Sequence, residues 1–187
     1  TFANITAKVT DKYYAGIIDV RSTAAKVTVD HCTFYNCLLM NTDYAAIMMK
    51  GPQKANVTIS NNIFMLPEAI DGHRAIRQDV GAANCMTFNY VKDNGGIHSS
   101  VAQTSCFLNI DPLFVDAAHN NFMLQANSPA IGKATDGSNL GDPRWGVEGP
   151  QVITLTTGNN DAVIEANIDK TVNVKIERSF TANVGYY

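Results

Sequence analysis

The sequence predicts an all-β chain built as a solenoid of stacked parallel turns, and three observations predict it. A ten-residue segment recurs at a spacing of 30. A second, independent column recurs at spacings of 30 and 29. Each copy holds short β-rich runs separated by clusters such as Gly51-Pro52 and Asp71-Gly72, with no sustained helical periodicity.

The first column matches Ala25-Lys26-Val27-Thr28-Val29-Asp30-His31-Cys32-Thr33-Phe34 to Ala55-Asn56-Val57-Thr58-Ile59-Ser60-Asn61-Asn62-Ile63-Phe64, and a looser third copy runs from Ala83 to Phe88. The second aligns Tyr14-Ala15-Gly16-Ile17 with Tyr44-Ala45-Ala46-Ile47 and His73-Arg74-Ala75-Ile76. A turn of a parallel solenoid cannot bury its own apolar face, so turns stack about 4.8 Å apart and equivalent side chains form ladders. Phe2, Phe34 and Phe64 are the expected inward ladder. Because the chain opens inside a repeat, further turns or a cap, and the segment that directs export, are expected upstream of Thr1.

A chain of 187 residues with 45% apolar content can build a real core. Its formal charge of −3 and pI near 5.7 carry no basic stripe that would track a phosphate backbone, so nucleic acid is not an expected partner. No apolar run is long enough to read as a membrane span. Cys32, Cys37, Cys85 and Cys106 lack the paired spacing of a zinc site. They read as small buried hydrophobes, although four cysteines allow three disulfide pairings in an oxidising compartment.

After Phe88 the repeat loosens into an ordered series of motifs: Asp111-Pro112-Leu113-Phe114-Val115-Asp116, Asn121-Phe122-Met123-Leu124, Asn127-Ser128-Pro129-Ala130-Ile131-Gly132 and Leu140-Gly141-Asp142-Pro143-Arg144-Trp145. This series resembles the closing turns of bacterial pectate-lyase-like right-handed parallel β-helix proteins, and the resemblance covers residues 1 to 145. It implies that residues 1–149 are the C-terminal portion of such a β-helix, with Asp111 to Trp145 forming the last turns and their cap. Arg144 is then expected to pair with an acid, and Trp145 to be buried over the last turn. Beyond the linker Gly146 to Pro150, residues 150–187 read as the start of a β-rich, sandwich-like module, with strands at Val152–Leu155, Ala162–Glu165 and Val172–Ile176.

The resemblance also implies a secreted or cell-surface setting and a polysaccharide partner of the acidic plant type, such as pectin. If Ile17, Ile47 and Ile76 point inward, alternation puts Tyr14, Tyr44, Lys50, His73, Arg77 and Asp79 on an exposed strip. Aromatic rings pack on sugar faces and cations pair with uronate carboxylates, so these six are the candidate carbohydrate-binding residues. The bland alternative is scaffold surface, with Lys50 and Asp79 a solvated ion pair. In the lyases that the tail resembles, a Lys or Arg abstracts the proton beside a uronate while calcium held by acids neutralises it. Lys50, Arg74 and Arg77 are the bases available. Asp43, Asp71 and Asp79 fall on different parts of successive turns, so no catalytic residue is assigned, any catalytic site is expected mainly upstream, and no cofactor is expected other than calcium in the lyase case. Asn41-Thr42-Asp43 and Gly72-His73 look like pieces of a polygalacturonase signature, but the adjacent Asp pair that an inverting hydrolase needs is missing.

Overall fold

The computed structural model describes residues 1–7, 16–20, 26–39, 45–49, 56–77, 80–149, 151–157 and 160–166. The chain divides into two units, Thr1–Glu148 and Gly149–Tyr187. In the second, β16 (Gln151–Thr157) and β17 (Asn160–Ala166) form an antiparallel pair with Gln151 opposite Ala166 and Thr157 opposite Asn160. The strand expected at Val172–Ile176 lies outside the described residues.

The first unit is all-β, and its main sheets are parallel. Strands β1 (Phe2–Ala3), β5 (Thr33–Tyr35), β9 (Ile63–Met65) and β12 (Met86–Phe88) form one sheet, called here the Phe sheet. Strands β3 (Gly16–Val20), β7 (Ala45–Met49) and β10 (Arg74–Arg77) form the Ile sheet, and β4 (Val27–Asp30), β8 (Val57–Ser60), β11 (Gly81–Ala83) and β13 (Ala102–Thr104) form the Thr sheet. A short parallel pair joins β2 (Thr6–Ala7) to β6 (Leu38–Leu39). From β4 onward the chain visits the Thr, Phe and Ile sheets in rotation, and bridges from Ile76 to Ile97 and from Met86 to Phe107 continue that order.

Register follows the repeat. Phe34 pairs with Phe64 and Val29 with Ile59, at the spacing of 30 that the sequence carries. The rings of Phe2, Phe34 and Phe64 stack at 4.8 and 4.7 Å with interplanar angles of 4° and 11°. In the Ile sheet the expected alignment is off by one: Ile47 pairs with Ile76, but its partner on β3 is Ile18 rather than Ile17. A slip of one residue exchanges the two faces of a strand. The observed register sets Val20 beside Met49 on the face of Ile18 and Ile47, and moves Asp19 to the opposite face beside Met48. That register keeps Asp19 off the face shared by Ile18, Ile47 and Ile76 and puts it on the face of Met48 and Arg77.

Between the Thr and Phe sheets the chain turns through a left-handed residue on each pass: His31, Asn61, Asn84 and Ser105 have φ of 46°, 59°, 49° and 51°. Side chains that can hydrogen-bond locally tolerate that conformation best. Asn62, fully buried at the same corner, accepts from the Cys32 N–H at 2.8 Å and donates to the Val29 carbonyl at 2.9 Å, so backbone groups that the turn frees are satisfied.

The tail does not cap the last pass, which corrects the expectation from its motifs. Strands β14 (Phe114–Asp116) and β15 (Asn121–Leu124) form an antiparallel pair, and residues 130–147 then run back along the outside of the Phe sheet. Three corner residues hold them in reverse order. Asn84 donates to the Lys133 carbonyl, Asn61 exchanges bonds with Thr135, and His31 meets Ser138. Further on, the Asp142 N–H donates to Thr33 Oγ1 at 3.0 Å, and Trp145 Nε1 donates to Thr1 Oγ1 at 2.9 Å. The Phe sheet is therefore buried on both faces: Phe34 and Phe64 pack in the main core, while Tyr35, Ile63 and Met86 pack in a second core with Phe114, Phe122, Leu124 and Leu140. Trp145 is half-buried, not buried, its ring edge-on to Phe122 at 5.3 Å.

Three substitutions test this arrangement. Phe64→Ala opens a cavity in the stacked ladder and is expected to cost about 3–5 kcal/mol, whereas Trp145→Ala, with part of its ring in water, should cost about 2 kcal/mol in the same denaturant titration. Gly141 has φ of 83°, and an added Cβ would lie 2.8 Å from Thr33 Oγ1 and 2.9 Å from Ile63 Cδ1. Strain and overpacking together make Gly141→Ala destabilising by about 2–4 kcal/mol; an unchanged midpoint would mean that the tail does not press on the Phe sheet.

Candidate functional site

Of the six candidate carbohydrate-binding residues, Tyr14, Tyr44, Lys50 and Asp79 lie outside the described residues. His73 precedes β10 and Arg77 ends it, and the two are placed differently from one another. His73 is partly exposed, with Nδ1 3.2 Å from the Asp71 carbonyl oxygen. Arg77 is 9% exposed, which corrects its assignment to an open strip. Its neighbour in register is Met48, itself fully buried, and the Ile76–Ile97 bridge brings His98 level with it on the next pass. An arginine packed in this way can orient neighbouring groups but offers little surface to a polymer.

The other expected bases and acids are also engaged. Arg74 is buried and its Nε pairs with Asp93, a residue held at φ of 54°. Asp71 caps its own turn by accepting from the Gly72 N–H at 2.7 Å. Asp43 lies outside the described residues. Among the described residues, no group of three or more His, Cys, Asp or Glu side chains is placed to hold a metal ion. His119 meets one acid, its Nδ1 lying 2.8 Å from Asp116 Oδ2.

Two concavities among the described residues of the first unit are of note. One, of about 130 Å³, lies beneath Trp145 between Thr33, Phe122, Leu140 and Asp142, and is below the range of about 300–1,000 Å³ in which small-molecule sites fall. The other, an open groove of about 370 Å³, runs beside β14 and is bordered by Tyr35, Met65, Pro67, Asp111 and Asp116. Its two carboxylates disfavour a uronate polymer, so size alone does not make it the sugar site.

Sequence reasoning did not foresee the densest polar cluster, where Asp30, His31, Ser138 and Asp136 meet. His31 Nδ1 is 3.0 Å from Asp30 Oδ2 and Nε2 is 3.0 Å from Ser138 Oγ, spacing that resembles a nucleophilic relay. The Ser138 hydroxyl, however, donates to Asp136 Oδ1 at 2.6 Å, so its proton is engaged by that carboxylate rather than directed at the imidazole. Burial pushes the Asp30 carboxyl up, but hydrogen bonds from Ser60, His31 and Asn61 outweigh it and hold it below its ordinary value. Asp136 is lowered by its bonds from Ser138. The cluster fastens the tail to the corner column. The signal for it in the sequence was the His at a position that elsewhere carries Asn, but its partners lie 107 residues away.

Asp142 is the second fastening. The Arg144 guanidinium, 2.9 and 3.1 Å away through Nε, holds its carboxyl well below the usual carboxylate range against the opposing effect of burial, and Thr1 Oγ1 donates to it at 2.6 Å. The acid expected to pair with Arg144 is thus Asp142. A carboxylate whose folded pKa is depressed contributes stability above its unfolded value, about 3.9, and that contribution is lost as pH falls through the folded value. Acid should therefore loosen the tail below about pH 4. Asp142→Asn is expected to lower the melting temperature at pH 7 and to flatten its fall in acid; parallel curves for variant and parent would refute this.

No curated protein and no solved structure matches the chain. One family model does, over residues 27–145, a span that starts with β4 and ends at Trp145, the last anchor of the returning tail. With well over half its length covered by that match, the chain belongs to the family described as Domain of unknown function (DUF5123).

Proposed function

We propose that the first unit is the closing portion of a right-handed parallel β-helix in a secreted or cell-surface protein, and that it contacts an acidic polysaccharide such as pectin. The observation that carries this reading is the rotation of the chain through three parallel sheets in constant register, with Phe34 over Phe64 and Val29 beside Ile59. That order supports a solenoid, and the tail motifs that resemble the pectate-lyase-like family support its setting. Side chains at equivalent positions of successive passes line up at about 4.8 Å, a geometry suited to an extended polymer.

Within this reading Tyr14, Tyr44, Lys50, His73 and Asp79 are the contact residues, and Arg77 supports them from beneath. Affinity is modest and salt-sensitive, because few cations contribute and exposed charges are screened beyond roughly 8 Å at physiological ionic strength. A calcium-dependent lyase is the enzymatic variant of the same proposal, with its site mainly in turns upstream. The engagement of Arg74 with Asp93 and the burial of Arg77 favour a second reading, a structural solenoid that displays the downstream unit.

Titration with polygalacturonate and with a neutral polysaccharide separates these readings. The expected result is binding to the acidic polymer only, weakened at least tenfold by Lys50→Ala with His73→Ala and by raised salt. Should neither polymer bind, or the double variant bind unchanged, the scaffold reading replaces the glycan one.

A further inference from the structure

The four cysteines occupy two different corners. On the Thr-to-Phe corner, register is the same on both sides of each turn: Asp30 with Ser60 and Thr33 with Ile63, Ser60 with Ala83 and Ile63 with Met86, Ala83 with Thr104 and Met86 with Phe107. Counting inward from either side places Cys32, Asn62, Cys85 and Cys106 in one column. The Phe107 N–H donates to the Cys85 carbonyl at 2.8 Å, which fixes the last step of that column. Cys37 belongs to another corner, where the adjoining Leu38 pairs with Thr6.

We propose that Cys85 and Cys106 form an intramolecular disulfide that joins the last two passes of this corner. Neighbouring parallel strands place level Cα atoms roughly 4.8 Å apart, within the range of about 4.4–6.8 Å that a disulfide spans. Cys32 is separated from Cys85 by Asn62, two strand spacings or about 9.6 Å, and lies beyond reach. Each Sγ donates to a backbone carbonyl of β11, Cys85 to Ala83 at 3.5 Å and Cys106 to Ala82 at 3.5 Å, and each thiol is the first influence on the other's acidity. Cys85 is fully buried and Cys106 partly exposed, which sets the order of events. The neighbouring Cys85 draws the Cys106 thiol below its usual value, while Cys106 and burial push Cys85 up.

With a small disulfide such as oxidised glutathione as the oxidant, the Cys106 thiolate attacks one glutathione sulfur and releases one glutathione thiolate, leaving a mixed disulfide on Cys106. The Cys85 thiol then loses its proton to that released thiolate, attacks the Cys106 sulfur and expels the second glutathione. Two protein thiols lose two electrons in total, and one oxidised glutathione becomes two reduced ones. Only Cys106 has to meet the oxidant, and only Cys106 has to meet Cys85.

The test treats the folded chain with oxidised glutathione, alkylates it in denaturant and maps the peptides. Titratable thiols are expected to fall from four to two, with a cross-linked Cys85–Cys106 peptide and alkylated Cys32 and Cys37. Cys85→Ala should leave a stable glutathione adduct on Cys106, and Cys106→Ser should keep Cys85 unmodified. Four free thiols in the parent, a persisting adduct on parental Cys106, or bridges to Cys32 in comparable yield would each overturn the assignment. So would loss of two thiols in Cys106→Ser.

Discussion

A residue held at positive φ at one corner of every pass is the constraint on which the rest of this structure depends. His31, Asn61, Asn84 and Ser105 turn the chain from the Thr sheet to the Phe sheet in the same way each time. The turn adds a constant number of residues, so the registers of the two sheets stay locked together. That locking stacks the phenylalanine rings within 5 Å of each other, and it puts cysteines level on adjacent passes. Side chains at these corners point outward as a ladder of polar groups spaced by the strand separation.

The returning tail reads that ladder. Lys133, Thr135 and Ser138 meet Asn84, Asn61 and His31 in turn, so the tail moves across one pass for every two or three residues. An extended chain rises about 3.3 Å per residue against roughly 4.8 Å per pass, which is why so few residues suffice. Behind the polar fastening, Phe122 sits at the centre of a second core, against Tyr35, Phe114 and Trp145. Depressed carboxylates at Asp30, Asp136 and Asp142 make this attachment partly electrostatic, while the apolar contacts beneath it do not depend on pH.

The cations of β10 are committed to the fold. Arg74 and Arg77 lie three residues apart, on opposite faces of β10, and both are buried, one against Asp93 and one beside Met48. Arg74 ties the Ile sheet to the pass that follows through Asp93. The polysaccharide reading therefore rests on the aromatic and lysine positions of the preceding passes together with His73, and the arginines set their background.

Much of the architecture was determined by the sequence alone. The 30-residue recurrence specified parallel pairing of β4 with β8 and β5 with β9, because a buried ladder allows only one register where Phe meets Phe. The match of Arg144 to a neighbouring acid was equally local. Three things were decided only in the tertiary structure. The Ile sheet chose a spacing of 29 between β3 and β7, which puts Ile18 and Val20, rather than Ile17 and Asp19, on the face of Ile47 and Met49. The motifs from Asp111 to Trp145 mark a compact tail without saying which surface it covers, because its partners, from Thr1 to Asn84, are fixed by stacking and lie up to 144 residues away. Arg77 alternates as an exposed residue in sequence, yet it is buried, because alternation assigns a face of the strand and only packing decides whether that face meets water.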